Sequence, residues 1–202
     1  MMQISVSHGR WTLLAALMLC IGSVHAAVVR QMAFPDMVDQ AELIFEGRVL
    51  SHQTEWDPSG KLIVTHVNFE VTDVLKGGPY ANVRLTFIGG TIGRRTLSVS
   101  GVAMPQVGEQ GVYFVESTHR LQASPILGLN QGRFRNVNGR LHTSNGQPVL
   151  GFSETRATQD LQPAFPSGLT IARSGSGQAM RLATFKNEVI NLLRPARREV
   201  AQ

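Results

Sequence analysis

Between residues 63 and 71 apolar and polar side chains alternate. Ile63, Thr65, Val67, Phe69 and Val71 fall on one face, with His66, Asn68 and Glu70 on the other. That period of two belongs to a half-buried strand. Upstream, Leu43–Leu50 has mainly apolar odd positions, and Trp56–Gly60 reads Trp-Asp-Pro-Ser-Gly, a turn. The two runs therefore predict an antiparallel pair. Lys76-Gly77-Gly78-Pro79 breaks the pattern before Val83, Leu85 and Phe87 mark a third strand. Gly89, Gly90 and Gly93 predict a loop ahead of a strand at Thr96–Val99. Val107-Gly108-Glu109 turns into Gln110–Glu116, whose continuous apolar run Val112–Val115 suits a central strand. Phe134–Val137, Arg140–Thr143 and Val149–Phe152 follow, separated by Asn138-Gly139 and Asn145-Gly146. Asn-Gly favours a type I′ turn, in which both central residues need positive φ, so these runs predict a β-meander.

Helical spacing occurs at the two ends of this β region. Phe34, Met37, Val38 and Ala41 recur at i, i+3, i+4 and i+7, and Pro35 suits a first helical turn. Near the C-terminus, Gln178–Arg194 carries a stripe of Leu182, Phe185, Val189, Ile190, Leu192 and Leu193. Arg194 favours a helix C-terminus, and Pro195 is expected to stop the helix there. Residues 153–177 are polar and contain Pro and Ser, which predicts a loop or arm with a short strand at Leu169–Ala172. About eight short strands and two flanking helices give a mainly β fold, a small β-barrel or barrel-like sandwich.

The first 26 residues follow a different logic. Arg10 precedes an apolar run from Trp11 to Gly22, too short to span ~30 Å of hydrocarbon. Val24-His25-Ala26 supplies a cleavage signal, so a signal peptide is expected to end before Ala27. The only cysteine, Cys20, falls in that leader, and an export route without disulfides points to a bacterial periplasm or extracellular medium. The expected organisation is a signal peptide over 1–26, a β domain over 27–152, the arm over 153–177, a helix over 178–194 and a basic tail over 195–202. With 43% hydrophobic and 16% charged residues the chain is neither disordered nor collagen-like. The net charge of +5 is scattered, clustering only at Arg94-Arg95 and at Arg194, Arg197 and Arg198. Nucleic acid would require a denser stripe interleaved with aromatics and is not expected as a partner. No later segment is apolar enough to predict a membrane span after cleavage.

Ala41-Glu-Leu-Ile-Phe-Glu-Gly-Arg-Val49 and Val67-Asn-Phe-Glu-Val-Thr-Asp-Val-Leu-Lys-Gly77 carry a resemblance. Gly89-Gly90, Pro105–Glu109, Val112–Val115 and Gly128–Phe134 continue it over residues 41–151. The chain resembles small exported bacterial proteins of unknown function. Its opening half is also similar to the netrin-like domain of tissue metalloproteinase inhibitors, an OB-type five-stranded barrel. That resemblance implies an OB-like, netrin-like barrel. In that family a mature N-terminal cysteine chelates the protease zinc; Ala27 stands at the predicted N-terminus here, so no residue inherits that role.

The residues themselves nominate little chemistry. His52, His66, His119 and His142 show no ligand spacing, and no paired cysteines exist, so no metal or cofactor is expected. Gly-x-Ser-x-Gly and Ser-x-x-Lys are absent, and no catalytic residue is nominated. Glu46, Glu70, Asp73, Glu109 and Glu116 could in principle supply a glycosidase pair, but their alternation with core positions predicts solvated strand faces. Gln131-Gly132-Arg133-Phe134 predicts a bulge whose Phe134 ring fills a corner of the core. The terminal helix stripe is expected to pack on the core. Gly89-Gly-Thr-Ile-Gly-Arg-Arg95 lacks phosphate-loop spacing and predicts instead a hairpin tip contacting an anionic partner, with Gly89, Gly90, Arg94 and Arg95 as the candidate binding residues.

The function expected is that of an exported, non-catalytic binding protein, with an exported protein such as a protease as the favoured partner. The alternative is a module for envelope polysaccharide or peptidoglycan, for which exposed aromatics are few beyond Trp56 and Tyr80. An enzyme of unrecognised type ranks third. When the full chain is expressed in a bacterium with a general export pathway, the protein recovered outside the cytoplasm is expected to begin at Ala27. N-terminal sequencing checks this, and a retained Met1 would turn the leader into an anchor.

Overall fold

The computed structural model describes residues 30–153, 165–172 and 177–199. The predicted signal peptide and its cleavage site, residues 154–164 and 173–176 of the predicted arm, and the last three residues of the tail lie outside the described residues. The described chain is mainly β. Helix α1 (Phe34–Gln40) leads into β1 (Leu43–Trp56), β2 (Ile63–Lys76) and β3 (Asn82–Ile88). The short strands β4 (Gly90–Ile92) and β5 (Arg95–Leu97) form a hairpin of their own. Then follow β6 (Gln110–Val115), β7 (Arg133–Val137), β8 (Arg140–Thr143), β9 (Val149–Phe152), β10 (Leu169–Ile171) and α2 (Leu182–Glu199). One antiparallel sheet has the order β3-β2-β1-β6-β7-β8, and β9 pairs with β10 separately.

The predicted hairpin of the first two strands is present but far longer than Leu43–Leu50 suggested, because β1 runs on to Trp56. Its ladder holds three extra residues. Leu75 and Thr72 on β2 and Leu50 on β1 stand opposite no partner. Each such bulge bends the strand and shifts the inward-facing set by one position. Val71 and Val74 thus pack against the same cluster as Val67 and Phe69, whereas Leu75 joins the opposite one.

The large sheet consequently has two cores. One face carries Ile44, Val112, Phe114 and Phe134 against Phe34 and Met37 of α1 and Phe185 and Val189 of α2. The other face carries Phe45, Phe69, Leu85, Phe87 and Tyr113, with Val102 and Met104 from the segment after β5 packed over them. In β6, Val112 and Phe114 alternate with Tyr113 and Val115, and all four are fully buried. That explains the continuous apolar run expected of a central strand.

Asn138 and Gly139 have φ of 51° and 76° and join β7 to β8 as predicted. The Asn145-Gly146 hairpin differs from expectation. Gly146 alone takes positive φ, 82°, and its N–H bonds the Thr143 carbonyl at 2.9 Å. A single bridge, His142 to Pro148, follows before β9 departs to β10. Proline has no N–H with which to continue a ladder, so the meander ends there. The Gly132 bulge is also corrected: β6 and β7 pair in regular register, and Phe134 fills the core without one.

Helix α2 begins at Leu182, later than Gln178, because Met180 is still extended. It accepts from Leu141 N–H at 3.0 Å and donates to the Val149 carbonyl at 2.7 Å. The helix passes through Pro195 to Glu199, correcting the predicted stop. Proline removes one i→i−4 bond of the helix without preventing later residues from staying helical. Leu182, Phe185, Val189 and Leu193 are buried as predicted, while Ile190 is exposed.

Polar links fasten the outer layers. Lys76 donates to the last carbonyls of α1, Val38 at 3.0 Å and Asp39 at 2.5 Å, where the helix dipole favours a cation. Burial there lowers its pKa from the ordinary lysine value. Lys186 of α2 bridges Glu46 at 2.6 Å and Asp73 at 2.5 Å, register partners on β1 and β2. Its partial burial opposes the charge, but the two carboxylates win and hold its pKa above the usual value. Glu46 is therefore not a solvated strand residue.

Glu109 departs further from that expectation. Its side chain is 5% exposed and meets Arg133, 6% exposed, through Nη2 at 2.5 Å and Nε at 2.8 Å. Arg133 Nη1 donates to the Ala103 carbonyl at 2.8 Å, tying the segment after β5 across the second core. The Tyr113 hydroxyl donates to Glu109 at 3.4 Å; burial, then the adjacent carboxylate, drives its pKa upward. The alternation pattern failed at Glu109 because it precedes β6, where no strand phase applies.

Removing Arg133 would leave the buried Glu109 carboxylate with the weaker contacts of Arg135 Nε at 3.7 Å and the Tyr113 hydroxyl at 3.4 Å. Arg133→Met is expected to cost about 3–5 kcal/mol of folding stability by urea unfolding. The double variant Arg133→Met with Glu109→Leu is expected to recover most of it. Equal losses in the single and double variants would show that the ion pair is not what Arg133 contributes.

Candidate functional site

At the far end of the long hairpin, the loop from Asp57 to Leu62 folds around one carboxylate. Asp57 Oδ1 accepts from Leu62 N–H at 2.7 Å and Lys61 N–H at 2.9 Å; Oδ2 accepts from Ser59 Oγ at 2.6 Å and Ser59 N–H at 3.2 Å. These bonds favour the ionised form and lower the Asp57 pKa from 3.8 to about 2, led by the Ser59 hydroxyl. The turn expected at Trp56–Gly60 is thus an aspartate-centred loop that starts one residue later.

The β4–β5 hairpin is seated against this tip. Gly89 N–H donates to the Ile63 carbonyl at 2.8 Å, and the Thr65 hydroxyl donates to the Gly89 carbonyl at 2.7 Å. Thr54 and Thr65 hydroxyls meet at 3.0 Å beneath Gly90. A Cβ on Gly90 would lie 2.5 Å from Thr65 Oγ1 and 2.6 Å from Thr54 Cγ2, and its φ is 134°, so only glycine fits. Thr91 and Thr96 hydroxyls close the hairpin at 3.0 Å. Ile92 pairs with Arg95 across Gly93 and Arg94, which makes the nominated segment a tight hairpin tip.

Between the two tips lies a wide, open hollow of about 690 Å³ lined by Trp56, Gly60, Ile92, Arg94 and Arg95. The Arg95 guanidinium carbon stands 5.7 Å over the centre of the Trp56 ring, a cation–π contact that orients both side chains. Arg94 and Arg95 are exposed, and among the described residues neither forms an ion pair. Of the four nominated residues, Arg94 and Arg95 line the hollow, whereas Gly89 and Gly90 sit beneath the hairpin and place it. Trp56 was not nominated with the arginines. Trp56 lies about 40 positions away in sequence, and only the crossing of the two hairpins unites them.

The remaining nominees stay apart. His66 bonds Thr86 at 2.9 Å and Glu55 at 3.0 Å, and His52 bonds the Pro105 carbonyl at 2.8 Å. His142 contacts the Arg140 carbonyl at 3.3 Å, and His119 is exposed. No three His, Cys, Asp or Glu among the described residues are placed to hold a metal. Glu70 is exposed, Glu116 pairs with Arg120, and Glu46 and Asp73 have Lys186 between them. Among the described residues, no helix is long and apolar enough to cross a membrane. No family model, no curated protein and no solved structure matches the chain.

A carboxylate whose pKa is lowered on folding stabilises the fold above its unfolded value and stops doing so as pH falls through its folded value. The Asp57 loop is therefore expected to stay formed from neutral pH down past 3.8 and to loosen only near pH 2. Amide shifts of Lys61 and Leu62 followed by NMR check this. A midpoint near pH 4 would mean that the carboxylate gains nothing from its loop.

Proposed function

We propose that this chain is an exported, non-catalytic binding protein that engages a protein partner, with an exported protease as the favoured class, through the hairpin-tip hollow. The carrying observation is the pairing of Trp56 with Arg95 at an exposed rim, with Arg94 beside them and, among the described residues, no acidic group paired with either arginine. Tryptophan and arginine are the residues that most often dominate protein–protein binding energy. An open hollow admits a surface segment of a macromolecule, whereas small-molecule sites bury most of their ligand. Bulges bend strands, so the three register shifts in the long hairpin are compatible with an OB-type, netrin-like barrel, and closure into such a barrel is part of this proposal.

A polysaccharide or peptidoglycan module would use Trp56 as a stacking platform. Arg95 already covers one face of that ring, which favours the protein reading. A photo-crosslinking residue at Ile92 is expected to capture one exported protein, competed by unlabelled chain, while the same group at exposed Leu121 captures none. Trp56→Ala should weaken that partner by about 2 kcal/mol or more, roughly 30-fold. Equal capture from both positions would move the interface away from the tip.

A further inference from the structure

Among the described residues, Arg94 and Arg95 have no ion-pair partner. The two carboxylates that flank Trp56 in sequence are already engaged: Asp57 turns its oxygens into its own loop, and Glu55 bonds His66. Lys61, exposed in the same loop, adds a third positive charge next to Gly60. The floor between these cations is apolar, formed by Trp56 and Ile92, and Gly60 has no side chain to fill the opening. Arginine's planar fork matches a carboxylate bidentately, and stacking on Trp56 has already restricted Arg95 to part of its rotamer range.

From this we infer that the hollow takes an acidic-apolar segment of polypeptide, its carboxylates on Arg94 and Arg95 and an adjacent apolar side chain against Trp56 and Ile92. The inference rests on the protein-binding reading above and supplies the chemistry of the partner. A polyanion with one charge per repeat needs a stripe of cations along its length. The basic residues outside this tip and the C-terminal tail are scattered, so only a short charged stretch is matched. A bilayer is penetrated by protruding apolar side chains. Here the apolar groups line a hollow, and an arginine lies over the tryptophan ring. Two carboxylates beside one apolar residue are ordinary features of an acidic peptide segment.

The test uses the exported chain and a synthetic peptide of about ten residues that alternates Asp or Glu with Leu and Phe, beside a twin carrying Asn and Gln in place of the acids. Binding is read from amide shifts of Gly60, Ile92 and Gly93. The acidic peptide is expected to shift these signals, the amide twin to leave them, and Arg94→Gln with Arg95→Gln to weaken binding at least ~10-fold. Both arginines are exposed, so the variant should retain the wild-type melting temperature. Equal binding by the twin, or binding unchanged by the double substitution, overturns the inference. So does displacement of the signals only by oligouronate or by phosphatidylglycerol vesicles, which would assign the hollow to a glycan or a membrane. The two levels separate through the crosslink at Ile92. A captured partner whose yield is unchanged in the arginine variant leaves the tip reading standing and removes the acidic chemistry. Absence of any capture at Ile92 removes the tip reading itself.

Discussion

Where Leu75, Thr72 and Leu50 stand unopposed in the β1–β2 ladder, the side chains change face, and the rest of the molecule is arranged around that change. A regular pair of 14-residue strands would send one apolar set to one face along its entire length. The bulges instead keep Val71 and Val74 on the face of Val67 and Phe69 and turn Leu75 to the other, so the base of the hairpin feeds both cores, Ile44 and Leu75 lying beneath α1 and α2, while its middle feeds the core beneath the segment after β5. β6 serves both cores because it lies inside the sheet, covered on each side. The same ladder then runs out to the tip, so its twist also fixes where Trp56 meets the second hairpin.

Covering two faces leaves polar groups to be matched at each seam, and the chain matches them with few side chains. Lys76 closes the end of α1, Lys186 fastens α2 to two strands, and Arg133 with Glu109 holds the strap over the second core. The contributions differ with burial. Exposed pairs such as Arg120 with Glu116 are worth little in water, whereas losing Arg133 would leave the buried Glu109 with a longer contact to Arg135 in place of a close two-nitrogen one. The arginines at the tip differ from these. Lys76, Lys186 and Arg133 are used at the fold's seams, while Arg95 lies over an aromatic ring and neither it nor Arg94 has an acidic partner among the described residues.

Two carboxylates of the long hairpin are matched within the fold. Glu46 and Asp73 come together across β1 and β2, as a hydrolytic pair would. Lys186 then sits between them, and its protonated form is the one both oxygens favour. The arrangement satisfies charge within the fold and presents a helix clamp. The tip hollow has the opposite character: its cations face outward, and its floor is apolar.

Much of the fold was legible locally. The alternation at Ile63–Val71, the apolar run of β6, the Asn138-Gly139 turn and the buried positions of α2 each depend on neighbours two to four residues away, and local periodicity encodes them. Other features depend on partners distant in sequence. The length of β1 past Leu50, the departure of β9 after Pro148, the delayed start of α2 and the burial of Glu109 were set by groups the local pattern does not contain. The candidate site divides in the same way. The sequence by itself determined that Arg94 and Arg95 would stand exposed at a hairpin tip, because Gly93 just before them permits a tight turn and two adjacent guanidinium groups favour water. Only the tertiary structure decided that Trp56 would lie under Arg95. That contact requires two hairpins to cross at Gly90, and the crossing is fixed by the sheet's register and by threonines at positions 54 and 65, which no local pattern links to the tip.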